Sequence, residues 1–200
     1  MYLWRQMTEI QREDARRYRR TCHFPKHSPP HFEVSGRGTF LVTAACYEHA
    51  HVIGENPTRM SDFESDLLSA CEQFGAEIFA WCLLPNHYHV LLKTADIKAL
   101  PKELGLVHGR SSYEWNREDG TRGRQVWHNC FERKIRGGGH FMATFNYVLH
   151  NAVHHGYVDR WQDWEWSNAK NYLAEVGDAQ AKVNWLRYPI RNYGKKWDIY

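Results

Sequence analysis

Leu83-Leu84-Pro85-Asn86-His87-Tyr88-His89-Val90-Leu91-Leu92-Lys93 is the stretch on which the reading of this chain turns. Residues 77 to 84 and 88 to 93 have strand composition, and Pro85-Asn86 leaves room only for a tight connection, so an antiparallel hairpin is expected. Strand alternation then puts His87 and His89 on one face and Tyr88 on the other. Two imidazoles side by side on a strand can hold one metal ion, although a histidine pair alone is more often structural. Downstream, in Phe145-Asn146-Tyr147-Val148-Leu149-His150-Asn151, helical spacing stacks Tyr147 over Asn151. Their phenol and amide oxygens would face the same ion.

Outward from the hairpin, residues 39 to 47 have the composition of a first strand. Ser61-Asp62-Phe63-Glu64 carries a capping-box signature, and Phe63, Leu67, Cys71 and Phe74 follow at helical spacing until Gly75. Residues 96 to 117 read as helical, with Pro101, Gly105 and Gly109 arguing for a shortened or interrupted start. Residues 125 to 135 mix strand and turn character. The glycines at 137 to 139 form a hinge before a helix over about residues 140 to 155, which Gly156 ends. The order predicts an α+β fold: a ferredoxin-like split βαβ unit whose antiparallel sheet carries helices on one face, plus an added tyrosine helix. Residues 1–30 read as a basic arm with a short helix through Arg12 to Tyr18, 31–175 as the catalytic domain, and 176–200 as a C-terminal extension.

Two hundred residues with 42% hydrophobic content suffice for one domain and its core. No membrane span or signal-like apolar run is evident, so a cytoplasmic location is expected. Cys22, Cys46, Cys71, Cys82 and Cys130 are odd in number and never paired as C-x-x-C; they read as reduced core residues. The net charge of +3 is unevenly spread. Arg16, Arg17, Arg19 and Arg20 crowd the arm, Arg122, Arg124, Arg133, Lys134 and Arg136 crowd the middle, and residues 55 to 77 are acidic. That segregation suits a nucleic-acid binder, with soluble basic tails as the plainer reading.

Three segments together resemble the single-tyrosine HUH transposases, most closely their REP-associated branch: Leu84-Pro85-Asn86-His87-Tyr88-His89-Val90-Leu91-Leu92, the tyrosine helix ending Asn151-Ala152-Val153-His154-His155-Gly156-Tyr157-Val158, and Trp164-Glu165-Trp166-Ser167-Asn168. The resemblance spans roughly residues 32 to 172. It implies the HUH nuclease fold and Tyr147 as a nucleophile that cuts single-stranded or hairpin DNA, keeping the 5′-phosphate as a phosphotyrosine. It also implies His87, His89 and Asn151 as ligands of a divalent cation. Two imidazoles and an amide oxygen suit Mg²⁺ or Mn²⁺, with Mn²⁺ the tighter binder. Relatives occur as monomers and as homodimers.

Departures and alternatives stand beside this. Ala152 occupies a position where a proline is common and His154 one where a lysine is common; if that residue touches phosphate, the contact becomes pH-dependent here. His150 and His154 also have zinc-pair spacing, without the partners of the usual helical zinc motif. Trp115, Trp127, Trp164 and Trp166 could stack unpaired bases, core packing being the plainer role. A domesticated, non-cleaving DNA-binding regulator is the runner-up function.

Overall fold

The hairpin forms where its alternation placed it, with β2 (Glu77–Leu84) and β3 (His87–Thr94) joined at Pro85-Asn86. Leu84 pairs with His87 and Cys82 with His89. On the other side of β3 runs β1 (Gly38–Ala45), where Thr43 faces His89, and β4 (Phe131–Lys134) closes the order β2-β3-β1-β4, every neighbour antiparallel. The computed structural model describes residues 8–21, 37–190 and 193, without the side chains of Arg12, Ala15, Arg16, Arg19 and Arg20. The chain divides into two units, residues Gly36–Asp198 being one and the N-terminal segment belonging to the other. In the latter, α1 (Glu9–Thr21) is longer than the arm helix expected from sequence. Thr8 and Gln11 cap it reciprocally, each side chain accepting from the other's backbone N–H at 3.3 and 2.8 Å.

In the larger unit, α2 (Pro57–Gln73) packs against α3 (Leu100–Glu118). The capping-box expectation at Ser61 is corrected: the helix starts five residues earlier, where the Asn56 side chain accepts from Arg59 N–H at 2.8 Å and Pro57 opens the first turn. Pro101 sits in the first turn of α3, where its missing N–H costs nothing, so the helix starts at Leu100 rather than residue 96, shortened as expected, and runs through both glycines without interruption.

The two helices of the split βαβ unit share one face of the sheet, and the tyrosine helix is added on the other. Tyr88 faces α2 and α3, its ring tilted against Phe63 and His108 and edge-on to Trp127, while α4 (Gly138–Leu149) packs on β2 and β3 from the side that bears His87 and His89. The central strand β3 is therefore covered on both faces, and only Lys93 escapes full burial. Trp115 and Trp127 are core residues here, as are Cys46, Cys71 and Cys82.

His108 gives this core an acid-sensitive point. It is buried, stacked on Trp127 at 4.2 Å and hydrogen-bonded to the Tyr88 hydroxyl at 3.1 Å; burial lowers its pKa to about 4. Below pH 6.5 the unfolded chain takes up a proton that the folded His108 refuses until about pH 4. Stability is therefore expected to fall as pH drops through that window, by up to roughly 3 kcal/mol. Urea denaturation across pH should show a flatter acid limb in His108→Gln; an unchanged limb would place the loss elsewhere.

Trp164-Glu165-Trp166-Ser167-Asn168, for which sequence offered no chemical job, covers the outer edge of β2. Leu83 N–H donates to Trp166 O at 2.9 Å, the Trp164 indole to Leu83 O at 2.8 Å, and the Asn168 amide bridges Trp81 N–H and Phe79 O at 3.0 Å each. An otherwise open strand edge is thereby satisfied. Next, α6 (Ala169–Arg187) bends at Gly177, whose φ of 78° and ψ of 160° belong to a region that only glycine occupies cheaply. The bend brings Asn184 to the Tyr172 hydroxyl at 2.6 Å. An added Cβ at Gly177 would meet nothing within 4 Å, so Gly177→Ala tests backbone strain alone. It is expected to cost about 1–3 kcal/mol, read by thermal denaturation; unchanged stability would show that the bend relaxes freely.

Candidate active site

His87 and His89 project from the centre of the sheet under the tyrosine helix, their ring centroids 5.1 Å apart. The Tyr147 hydroxyl lies 3.3 Å from His89 Nε2, and Asn151 Oδ1 3.2 Å from His87 Nε2. All four residues are at most 2% exposed, so their polar atoms meet one another rather than bulk water. Three elements supply them: β3, α4 and the short α5 (Asn151–His154). The single helix expected over 140 to 155 is corrected to two, because His150 leaves helical geometry at φ −97° and ψ 7°. The break turns Asn151 but keeps it over the histidines.

Residues around the histidines aim them. Asn86 Nδ2 donates to His49 O at 3.1 Å, so its Oδ1 is left to accept from His87 Nδ1 at 2.7 Å. His87 Nε2 is then a lone pair, and it faces the amide oxygen of Asn151, also an acceptor. Two acceptors 3.2 Å apart leave a place for a cation or proton between them, and with the Asn151 amide turned over Nδ2 would instead donate to His87 Nε2. His89 is oriented in the same manner, its Nδ1 bonded to Thr43 Oγ1 at 2.7 Å. The donor set of two imidazole nitrogens and one hard oxygen therefore fits a divalent cation. Asn151 Nδ2 is buried without a hydrogen-bond partner, an arrangement that a structural, helix-ending asparagine would not require. Among the described residues no three His, Cys, Asp or Glu side chains gather as a metal site, so the third protein ligand to an ion here would be the amide.

Two further groups adjoin the site that sequence did not single out. His155, one turn beyond Asn151, brings its ring to 4.9 Å from that of His87; the four-residue spacing was the available signal. Tyr193 packs edge-on to Tyr147 at 5.6 Å, and nothing in the sequence linked them. Arg136 N–H donates to His140 Nδ1 at 3.2 Å, so His140 Nε2 carries the proton it gives to the Tyr193 hydroxyl at 3.0 Å. That hydroxyl also bonds Thr144 Oγ1, which donates to His140 O at 2.8 Å. Burial raises the Tyr193 pKa and lowers that of His140.

The basic candidates are dispersed. By register Arg133 shares the histidine face of the sheet, two residues along from Phe131, which sits opposite Thr43; it lies within electrostatic reach of the Tyr147 and Tyr193 hydroxyls. Lys134, Arg136, Arg122 and His154 are exposed. Arg124 is engaged with Asp119 at 2.7 Å and Asn116 at 2.9 Å. Arg17 is exposed on α1 and pairs with Asp14 at 3.5 Å; the side chains of Arg16, Arg19 and Arg20 lie outside the described ones. His150 is no partner for a zinc pair: it is stacked against Trp185 and Trp161 and bonded to Asn146 O at 2.9 Å.

Comparison with known proteins gives three findings. A family described as "Transposase IS200 like" matches residues 40–151, which includes β1 from Phe40 on, both histidines, Tyr147 and Asn151. A Haemophilus influenzae protein, provisionally named a REP-associated tyrosine transposase, is 31% identical over 126 residues, covering 54% of this chain and 68% of that protein. A solved structure of a REP-associated tyrosine transposase bound to a REP hairpin superposes with a TM-score of 0.57 at 19% identity, over 74% of this chain and 86% of the other. At that identity the superposition speaks for the fold.

Proposed function

The chain belongs to the family of IS200-like transposases, and on that premise we propose that it nicks and rejoins single-stranded DNA through a tyrosine-linked intermediate. The observation that supports this reading best is the convergence of two close pairs, Tyr147 with His89 and Asn151 with His87, whose histidine rings lie 5.1 Å apart in one buried site.

Tyr147 Oη attacks the phosphorus of a DNA phosphodiester; the P–O3′ bond breaks, the 5′-phosphate stays on the tyrosine, and the departing 3′-oxygen takes a proton. Thr43 holds the His89 ring with Nε2 turned into the site beside the Tyr147 hydroxyl, where it is available to the cation, and the phenolic proton passes to water as the bond to phosphorus forms. A divalent cation held by His87, His89 and Asn151, Mg²⁺ or Mn²⁺, would supply Lewis-acid polarisation of a non-bridging phosphate oxygen. Attack by a second 3′-hydroxyl on the phosphotyrosine restores a phosphodiester without an external energy source. Arg133 supports the negative charge from the same sheet face, while Arg122, Lys134, Arg136 and His154, with Arg16, Arg17, Arg19 and Arg20 of the arm, contact the backbone of single-stranded or hairpin DNA. Arg124, committed to Asp119, orders its loop.

The test is a denaturing gel of the protein with an end-labelled hairpin oligonucleotide and Mn²⁺. A protein-linked 5′ product with a free 3′-hydroxyl supports strand transfer. Binding without product indicates a non-cleaving module, and cleavage without linked protein indicates attack by water.

A further inference from the structure

Between the tyrosine helix and α6 lies a cavity of about 330 Å³ for which the chemistry above has no use. Its walls include Trp161, Tyr172, Trp185 and the His150 ring, with Asp178 and Lys182 exposed at the rim. His150 stacks on Trp185 at 3.7 Å and on Trp161 at 5.1 Å, which fixes three rings in one array. The cavity touches the tyrosine helix at Asn146 and Leu149 and at His150 beyond its end. Asn146 is the neighbour of Tyr147 in sequence, and His150 the neighbour of Asn151.

Independent contacts keep this cavity in shape. The Asn146 amide donates to Asn184 O and Tyr188 O at 3.3 and 2.9 Å, fastening the end of α6 to the nucleophile's helix. The bend at Gly177 turns the second half of α6, with Asp178, Lys182 and Trp185, towards Tyr172 of the first. The size falls at the small end of ligand sites, roughly 300–1,000 Å³. A mainly apolar lining, with four aromatic rings and a single cation, does not suit a phosphate. It suits a flat heteroaromatic ring, stacked on the indoles, with Asp178 accepting and Lys182 donating at its polar edge.

We propose that this cavity captures one unpaired nucleobase of the DNA strand, next to the phosphate that Tyr147 attacks. The inference rests on the proposed reading that the substrate is single-stranded DNA. A base anchored beside the nucleophile would set which phosphate reaches Tyr147, because phosphate contacts alone carry no register.

The full chain carrying Tyr147→Phe, which is expected to bind without cutting, is mixed with a hairpin oligonucleotide bearing single-stranded thymidine flanks, in which one 2-aminopurine or one abasic site is walked along the flank. Stacking should quench 2-aminopurine sharply at one position, and the abasic site there should weaken binding roughly tenfold or more. Trp185→Leu and Lys182→Ala should each remove much of the difference between intact and abasic DNA. Lys182 is exposed, so its substitution keeps the comparison readable if Trp185→Leu does not fold. Even quenching along the flank, or an intact-to-abasic difference that the variants leave unchanged while the parent protein still forms its DNA adduct, overturns the cavity's role alone. Absence of any binding to the flanked hairpin overturns the reading beneath it as well.

Discussion

Tyr147→Phe is expected to abolish covalent attachment to DNA, lowering adduct formation by on the order of a thousandfold or more, while DNA binding persists. The substitution removes one hydroxyl and one 3.3 Å hydrogen bond to His89. It keeps the ring that packs on His89 at 5.1 Å and on Tyr193 at 5.6 Å. Fold stability should therefore change by only about 1 kcal/mol, and lost activity would report chemistry. Tyr88 is no substitute: it is fully buried on the opposite face of the sheet, and burial raises its pKa well above that of an ordinary phenol. Tyr193 is the nearer competitor. An adduct that survives in Tyr147→Phe and disappears in Tyr193→Phe would transfer the nucleophile's role to the neighbour.

Local chemistry made much of this site legible before the fold was seen. Strand alternation alone separated His87 and His89 from Tyr88, and the two-residue turn at Pro85-Asn86 fixed the hairpin. The fourfold spacing of Tyr147 and Asn151 survived a helix break that the sequence did not announce, because His150 is held out of the helix by tertiary stacking on Trp161 and Trp185. What escaped were the long-range partners. Thr43 reaches His89 only through the β1–β3 register, and Tyr193 reaches Tyr147 from beyond α6; neither contact leaves a periodic trace. The helix starts at Asn56 rather than at the capping-box Ser61 because the Asn56 side chain accepts from Arg59 N–H and Pro57 opens the first turn. Charge counts marked basic segments but not which side chains were already engaged, as Arg124 shows.

Chelation of divalent ions is expected to remove cleavage from the parent protein, and His87→Ala or His89→Ala to lower it by on the order of a hundredfold or more. The reason lies in the hydrogen bonds. Asn86 fixes the His87 proton on Nδ1, leaving Nε2 and Asn151 Oδ1 to face each other as acceptors at 3.2 Å. Removing either histidine leaves one imidazole and one amide, too few donors to hold an ion against water. Asn151→Ala should be milder, since a water can replace one neutral oxygen. Thr43→Ala, which frees the His89 ring without touching the ion, should cost roughly 10–100-fold in metal affinity. Metal binding has a readout independent of DNA: an ion that binds the folded state alone raises its stability by about 2.7 kcal/mol at a hundred times its dissociation constant. Mn²⁺ should therefore raise the melting temperature of the parent and not that of His87→Ala, and should support cleavage better than Mg²⁺ given the mixed nitrogen and oxygen donors. Full cleavage in the presence of chelator, or equal Mn²⁺ stabilisation of both proteins, would remove the ion from these residues.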